Sequence, residues 1–589
     1  MDGEKNYAKW FLPALIVMAI GIVVWDVAQK NLSQNTLPKA TQDSLSKSSG
    51  QLEKQIAEAY QKGDWQKAAQ MIEDVLKMQP DRNKDMRYSL IQIYLQFNML
   101  TQAKEHLKIC FEKLGKVPEL LFIEAQISLR EGETDKSYQI FQEIVTLEPQ
   151  FLPARIGMVE ISLGKKAFKE ALLQIQEIQK KFPDALEQIA HIYLFEADIH
   201  FSMEDFEKAR LALENFLNIH PNIFGVHRDW IEAACALGQL SEAQKKYQEK
   251  WESQDSKERL FYQQLYAMTI PPQKAIDLLE GLLSKDPSPS IRMGLISLWT
   301  KEGEYEKAIQ SCMEIKGMQD VLEEKRLSWL GHAIYLSGDS AQARKIYTEI
   351  LANPQAKAHS FSGLINLELL DKNFPVALSH IKELLEDSKN KQDRWNTELL
   401  KSRVLYEAGQ WEDALSNTQK LLDDIPSGIA VHSHALYKKA QILFAQGKLK
   451  EAGEIFAEIA EKKTRANDLR LKSALWHGIA LYLQGIDPTV TWEKYRSFGW
   501  QNYMTDDRMK LFFELFLGKE KPENTIFLKK MPFLANDICF FLGFYYEMQK
   551  NYQKAYENYE EGLQSSKGCD FPWHELTAAK KRVSSFQEK

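Results

Sequence analysis

A small side chain returns every 32 to 38 residues in the same local context along most of this 589-residue chain. It stands at Ala68, Ala103, Ser137, Ala171, Ala209, Ala243, Ala275, Ala308, Ala343, Ala377, Ala414 and Ala452, and once more at Ala555. A fixed period of that length is one supersecondary unit repeated, which rules out a single globular core and leaves arrays of stacked units. The stretch LLKSRVLYEAGQWEDALSNTQKLLDDIP, from Leu399 to Pro426, gives the unit: two amphipathic helices joined by a turn at Gly409, Ala414 early in the second helix, and a closing proline. Such a hairpin cannot bury its apolar face alone, so its neighbours must do so. The 103 residues between Ala452 and Ala555 leave room for two degenerate units, which makes about fifteen hairpins in all.

Three further marks keep the same register. A glycine lies five residues before the small residue at Gly63, Gly132, Gly238, Gly303, Gly338, Gly409 and Gly447, where a left-handed backbone ends the first helix. An aromatic lies three before it at Trp65, Phe168, Phe206, Tyr305, Phe374, Trp411 and Tyr552, suited to the gap between paired helices. Prolines at Pro80, Pro149, Pro183, Pro221, Pro287 and Pro426 lie twelve after it and stop the second helix.

In these four marks the chain resembles the tetratricopeptide repeat (TPR) family over roughly residues 50 to 583. The resemblance implies an all-α, right-handed superhelix whose first helices line a concave groove that binds proteins or peptides. It also implies a scaffold or adaptor rather than an enzyme. One inner position of the late repeats carries large apolar residues, Tyr335, Leu369, Tyr406, Phe444 and Tyr482, which are candidate contacts for an apolar peptide or, equally, packing residues of the repeat. The lysine and asparagine clamp with which some TPR proteins hold chaperone C-termini has no counterpart here.

Composition narrows the partners. The net charge is −7 with both signs interspersed, so there is no basic stripe to track phosphates and nucleic acid is not an expected partner. Cys110, Cys235, Cys312 and Cys539 sit among apolar residues and read as core; Cys569 is the fifth, and no CxxC pair points to zinc. No phosphate loop, HExxH or GxSxG occurs, and neither a cofactor nor a metal is expected. His432 and His434 are two apart, so on a helix they diverge.

The N-terminus departs from the repeat. An uncharged run from Trp10 to Trp25 predicts a transmembrane anchor over 10–28, with Trp10 and Trp25 at the two interfaces, a short tail over 1–9 and a polar tether over 29–51. A cleaved signal peptide fits less well because Asp26 stands where a small residue is wanted. Lysines flank the run almost evenly, and the amino terminus tips the orientation towards a solenoid outside the cytoplasm, in the periplasm of a bacterial inner membrane.

The solenoid is expected over 52–464. A degenerate segment follows over 465–532, with an aromatic group at Trp492, Tyr495, Phe498, Trp500 and Tyr503 inside its irregular part, either an irregular joint or a docking surface. A last repeat and a polar capping helix occupy 533–589. Together these features predict a membrane-anchored scaffold organising an envelope complex for secretion, assembly or polymer export. The alternative is a cytoplasm-facing adaptor that brings an enzyme or protease to the membrane. That reading is similar to the lipopolysaccharide-assembly TPR proteins, whose C-terminal rubredoxin-like CxxC module has no counterpart in this chain. Sequence leaves the oligomeric state open.

Overall fold

The computed structural model describes residues 55–56, 59, 64–78, 84–253, 256–318, 323–351, 357–388, 391–462, 467–498, 507–530, 535–564 and 573–587. The expected anchor with Trp10 and Trp25, the tether, Gly63, Pro80, Trp500, Tyr503 and Cys569 lie outside them. Among the described residues every regular element is a helix, and no helix is long and apolar enough to cross a membrane.

The described residues hold thirteen complete helix pairs, from Lys84–Gln96 with Leu100–Leu114 to Ala535–Met548 with Tyr552–Gln564. The helix Trp65–Met78 precedes them and Trp573–Gln587 follows. The chain divides after Ile199 into two compact units. In each, the core is a series of local clusters. Ala68, Ile72 and Leu76 pack with Leu90, Ile91 and Ala103 in the first unit, and Ala308, Cys312, Ala333 and Ala343 pack together in the second. Each hairpin therefore depends on its immediate neighbours, as expected of stacked repeats.

The small residue earns its place by contact. All thirteen positions are at most 1% exposed, and the one hydroxyl among them, Ser137, donates to the Ala125 carbonyl at 2.8 Å. A larger side chain there would hold the paired helices apart. Second helices bury one stripe, as Trp411–Asp424 does with Ala414, Thr418 and Leu421, spaced four and three apart. First helices are buried on several sides: Ala430–Ala445 buries Val431, Ser433, Ala435, Tyr437 and Ala440 among others. They lie between their own second helix and the one before it.

The turn between paired helices imposes one backbone state whatever residue stands there. Gly132, Gly238, Gly303, Gly338, Gly409 and Gly447 have φ between +75° and +102°, and Asn98, Lys166, Glu204, Lys372 and Lys550, at the equivalent positions of the units without glycine, have φ between +54° and +62°. A side chain in the left-handed region costs about 1 kcal/mol. The stacked helices on either side outweigh it.

Between Ala452 and Ala555 the chain departs from the regular hairpin. One full first helix, Asn467–Leu483, is followed by a turn at Gly485 (φ +78°) and an eight-residue helix, Thr489–Arg496. From 507 to 530 the chain runs in short 3-10 turns around the six-residue helix Leu511–Phe516. Val490, where the small residue belongs, is 81% exposed, and Trp492 and Tyr495 are buried in its stead. Gly478 makes room for this, because a Cβ there would lie 1.9 Å from the Trp492 indole nitrogen. Trp492 and Tyr495 thus serve packing.

Candidate functional site

In the second unit several first helices touch the next one along, as Lys391–Glu407 touches Ala430–Ala445 and the latter touches Asn467–Leu483, whereas contact between successive second helices is slight or absent. In that unit the first helices therefore form the crowded inner side of the stack. Their inner faces are the surface on which a polypeptide could meet several repeats at once.

The five residues expected on that face lie in different surroundings. Tyr335 and Leu369 are buried in separate clusters, and Tyr406 is wholly buried. Phe444 and Tyr482 are half-buried on one further cluster, edge-on to Trp476 at 5.1 Å and Phe544 at 5.2 Å. They do not line a common open surface.

One helical turn earlier, eleven residues before the small residue, a second row carries polar side chains in eleven consecutive units. In the first compact unit it comprises Gln92, Gln126, Glu160 and Asp198. In the second it runs through Glu232, Gln264, Ser297, His332, Asn366, Arg403 and Gln441. Positions three apart share a helix face, so this row borders the apolar one. Its members are half-buried, save exposed Asp198 and buried Gln441. Sequence reading missed the row because apolar residues drew attention to its neighbour. The available signal was unbroken polarity in the middle of otherwise apolar helices.

The row has the chemistry of a recognition surface. Neighbouring repeats are tied along it, the Arg403 guanidinium donating to Asn366 Oδ1 at 3.0 Å and the Ser290 hydroxyl to Gln264 Oε1 at 3.1 Å. Gln92 Nε2 and Gln441 Oε1 are buried without a hydrogen-bond partner among the described residues. Burial pushes the Glu160 carboxyl up to about 7 and holds the His332 imidazole down to about 4. Arg228 reaches Asp229 at 3.8 Å and Glu232 at 3.9 Å, placing a cation beside the acidic part of the row in the second unit.

Elsewhere the chemistry is structural. Cys110, Cys235, Cys312 and Cys539 are buried and free, and burial raises the Cys312 and Cys539 thiols to about 12. His434 Nδ1 faces the Ala430 carbonyl at 2.9 Å, which occupies it within its own helix. Among the described residues no three His, Cys, Asp or Glu side chains are grouped to hold a metal ion.

Residues 59–109 and 399–467 each match a family model described as tetratricopeptide repeat. The chain thus carries TPR-type repeats in these two segments. No curated protein matches the chain. Among solved structures it is similar to the crystal structure of the APC/C hetero-tetramer Cut9-Hcn1, with 13% identity over 72% of this chain and 95% of that one at a TM-score of 0.31. It is also similar to a tetratricopeptide repeat protein from Parabacteroides merdae ATCC 43184, with 12% identity over 48% and 98% at a TM-score of 0.30.

Proposed function

We propose that this chain is a protein-binding scaffold that holds a partner polypeptide along the polar row of its first helices, and that an N-terminal anchor keeps the scaffold at a membrane. The observation that carries the reading is the row of polar side chains that runs along the first helices within each compact unit. A purely structural helix array has no use for hydrogen-bonding groups there, since apolar residues would pack the same positions without desolvation cost. The anchor rests on the uncharged run between Trp10 and Trp25. With the solenoid outside the cytoplasm, the chain would organise an envelope complex.

A double variant tests the binding face. Asn366→Leu with Arg403→Met replaces both members of a hydrogen-bonded pair by apolar groups of similar size, a change of small cost to stability. The partner co-purifying from detergent extracts should then bind at least tenfold more weakly, with the melting behaviour of the chain nearly unchanged. Undiminished binding would reject the polar row as the contact surface. A compartment-sensitive reporter fused after Lys589 should be active outside the cytoplasm, and cytoplasmic activity would reject the proposed topology.

A further inference from the structure

The turn that joins His191–Ser202 to Phe206–Ile219 carries Glu204, and the second compact unit begins just before it, at His200. Six complete helix pairs later, the same unit brings another part of its array against this turn. The Glu204 carboxylate meets the ammonium of Lys462, the residue that ends Leu449–Glu461, at 2.7 Å. Gly428, in the connection between Trp411–Asp424 and Ala430–Ala445, lies so near the chain that a Cβ on it would run into the Phe201 carbonyl. Beside the ion pair, burial and the Lys462 ammonium hold the His432 imidazole down to about 4, so it adds no charge at neutral pH. Turns within pairs lie along one edge of a stack of hairpins, and connections between pairs lie along the other. One edge meets the opposite edge only where the array has come round on itself.

We propose that Glu204, Lys462 and Gly428 form a releasable clasp, which closes the hairpins between them into one complete turn and, by opening, governs access to their inner side. The hairpin that carries Glu204 has no use for it. Glu204 holds a left-handed backbone, φ +62°, at a position where six other units have glycine, and the helix that follows is capped by Asp205, whose carboxylate accepts from the Lys208 N–H at 3.2 Å. Gly428 has no positive φ to explain it, so what it supplies is the missing Cβ that lets the Phe201 carbonyl approach. Burial raises the Glu204 carboxyl, but hydrogen bonds from Lys462 and Ser427 outweigh this and hold it below the usual range, so it is ionised at neutral pH.

The clasp is built to let go. It joins one ion pair and one glycine, and the Lys462 and Glu204 side chains stay 22% and 30% exposed, so water and salt reach the pair and weaken it. Opening asks little of any one hairpin, because six pairs share the change and each contacts only its neighbours. The polar row from Glu232 to Gln441 lies on first helices within the closed stretch. A partner polypeptide therefore reaches the row end-first or while the clasp is open, a consequence that rests on the reading of the inner face as the binding surface.

The test uses the full chain with spin labels carried on p-acetylphenylalanine at Met203, which is 43% exposed, and at Glu458, exposed one turn before Lys462, and reads their separation by pulsed electron spin resonance. At low salt the parent should give one short distance. Salt at about 1 M, where the screening length falls to about 3 Å, should add a population longer by about 10 Å, one helix diameter. Lys462→Glu and Gly428→Leu should make the long population dominant at low salt. Glu204→Lys with Lys462→Glu should restore the short one, since Lys166, Lys372 and Lys550 show that lysine adopts this backbone. Glu204→Gly should also open the clasp while the amides of Phe206–Ile219 stay as protected as in the parent, which a residue serving only its own hairpin would not do. A short distance unmoved by salt, by Lys462→Glu and by Gly428→Leu would overturn the clasp, as would a charge-swapped chain as open as Lys462→Glu. The salt series needs no substitution at the clasp, so it stays decisive if a variant fails to fold. No partner enters the measurement, so its failure would leave binding on the polar row untouched.

Discussion

Trp476→Ala is expected to cost the second compact unit about 3–5 kcal/mol, the range for removing a fully enclosed tryptophan. Trp476 is 1% exposed and stacks on Phe540 at 4.6 Å, with Phe444, Phe456 and Phe541 also in ring contact at 5.1 to 6.0 Å. Those rings come from helices before and after the irregular segment, so one side chain joins the regular array to the last hairpin. Neighbour-dependent stability predicts a local outcome: residues 467–587 should exchange their amide hydrogens much faster and unfold in a separate, earlier urea transition, with the first unit unaffected. Trp476→Phe should cost less, since it also removes an indole N–H that is buried without a partner among the described residues. A loss below 1 kcal/mol for the alanine variant would mean that the irregular segment, not this ring cluster, holds the last hairpin.

The second large effect concerns a ring held between two glycines. Tyr347, 3% exposed, lies against Gly331 and Gly363 of consecutive first helices. A Cβ at Gly363 would stand 2.3 Å from the ring, and one at Gly331 would stand 2.8 Å away. Glycine inside a helix sacrifices about 0.5–1 kcal/mol relative to alanine, so if the ring could shift, adding a side chain would stabilise the helix. With glycine needed on both sides, Gly363→Val should destabilise by about 1–3 kcal/mol in urea titrations. Adding Tyr347→Leu should return part of that loss, and this coupling separates overpacking from a general disturbance. A neutral or stabilising Gly363→Val would show that the ring has room to move.

How far the molecule was legible in its sequence depended on whether a feature repeats. The small residue, the aromatic and the proline each answer to a local steric demand met in every unit, and seven helices begin on the predicted aromatics from Trp65 to Tyr552. The turn was read only where glycine marks it; Lys166, Lys372 and Lys550 adopt the same backbone because the packed helices dictate it, and nothing in those side chains announces it. Tyr335 and Leu369 share one register position, yet register does not say how deep a side chain sinks. The polar row beside it was equally available in register. The contact of Glu204 with Lys462 was not, because it depends on how far the stack turns between distant hairpins, a sum of small rotations that no local pattern encodes.

A partner lying along the inner side of the first helices is the central expectation. Site-specific photocrosslinking in cells tests it directly, with benzoylphenylalanine placed singly at Gln264, Ser297 and Asn366 on the polar row and at Leu211, Met313 and Val376, which are 58%, 55% and 37% exposed on second helices. One and the same protein should be captured from all three row positions, through successive segments of its sequence, and from none of the second-helix positions. Capture of that protein as efficiently from Leu211, Met313 and Val376 as from the row would contradict the account.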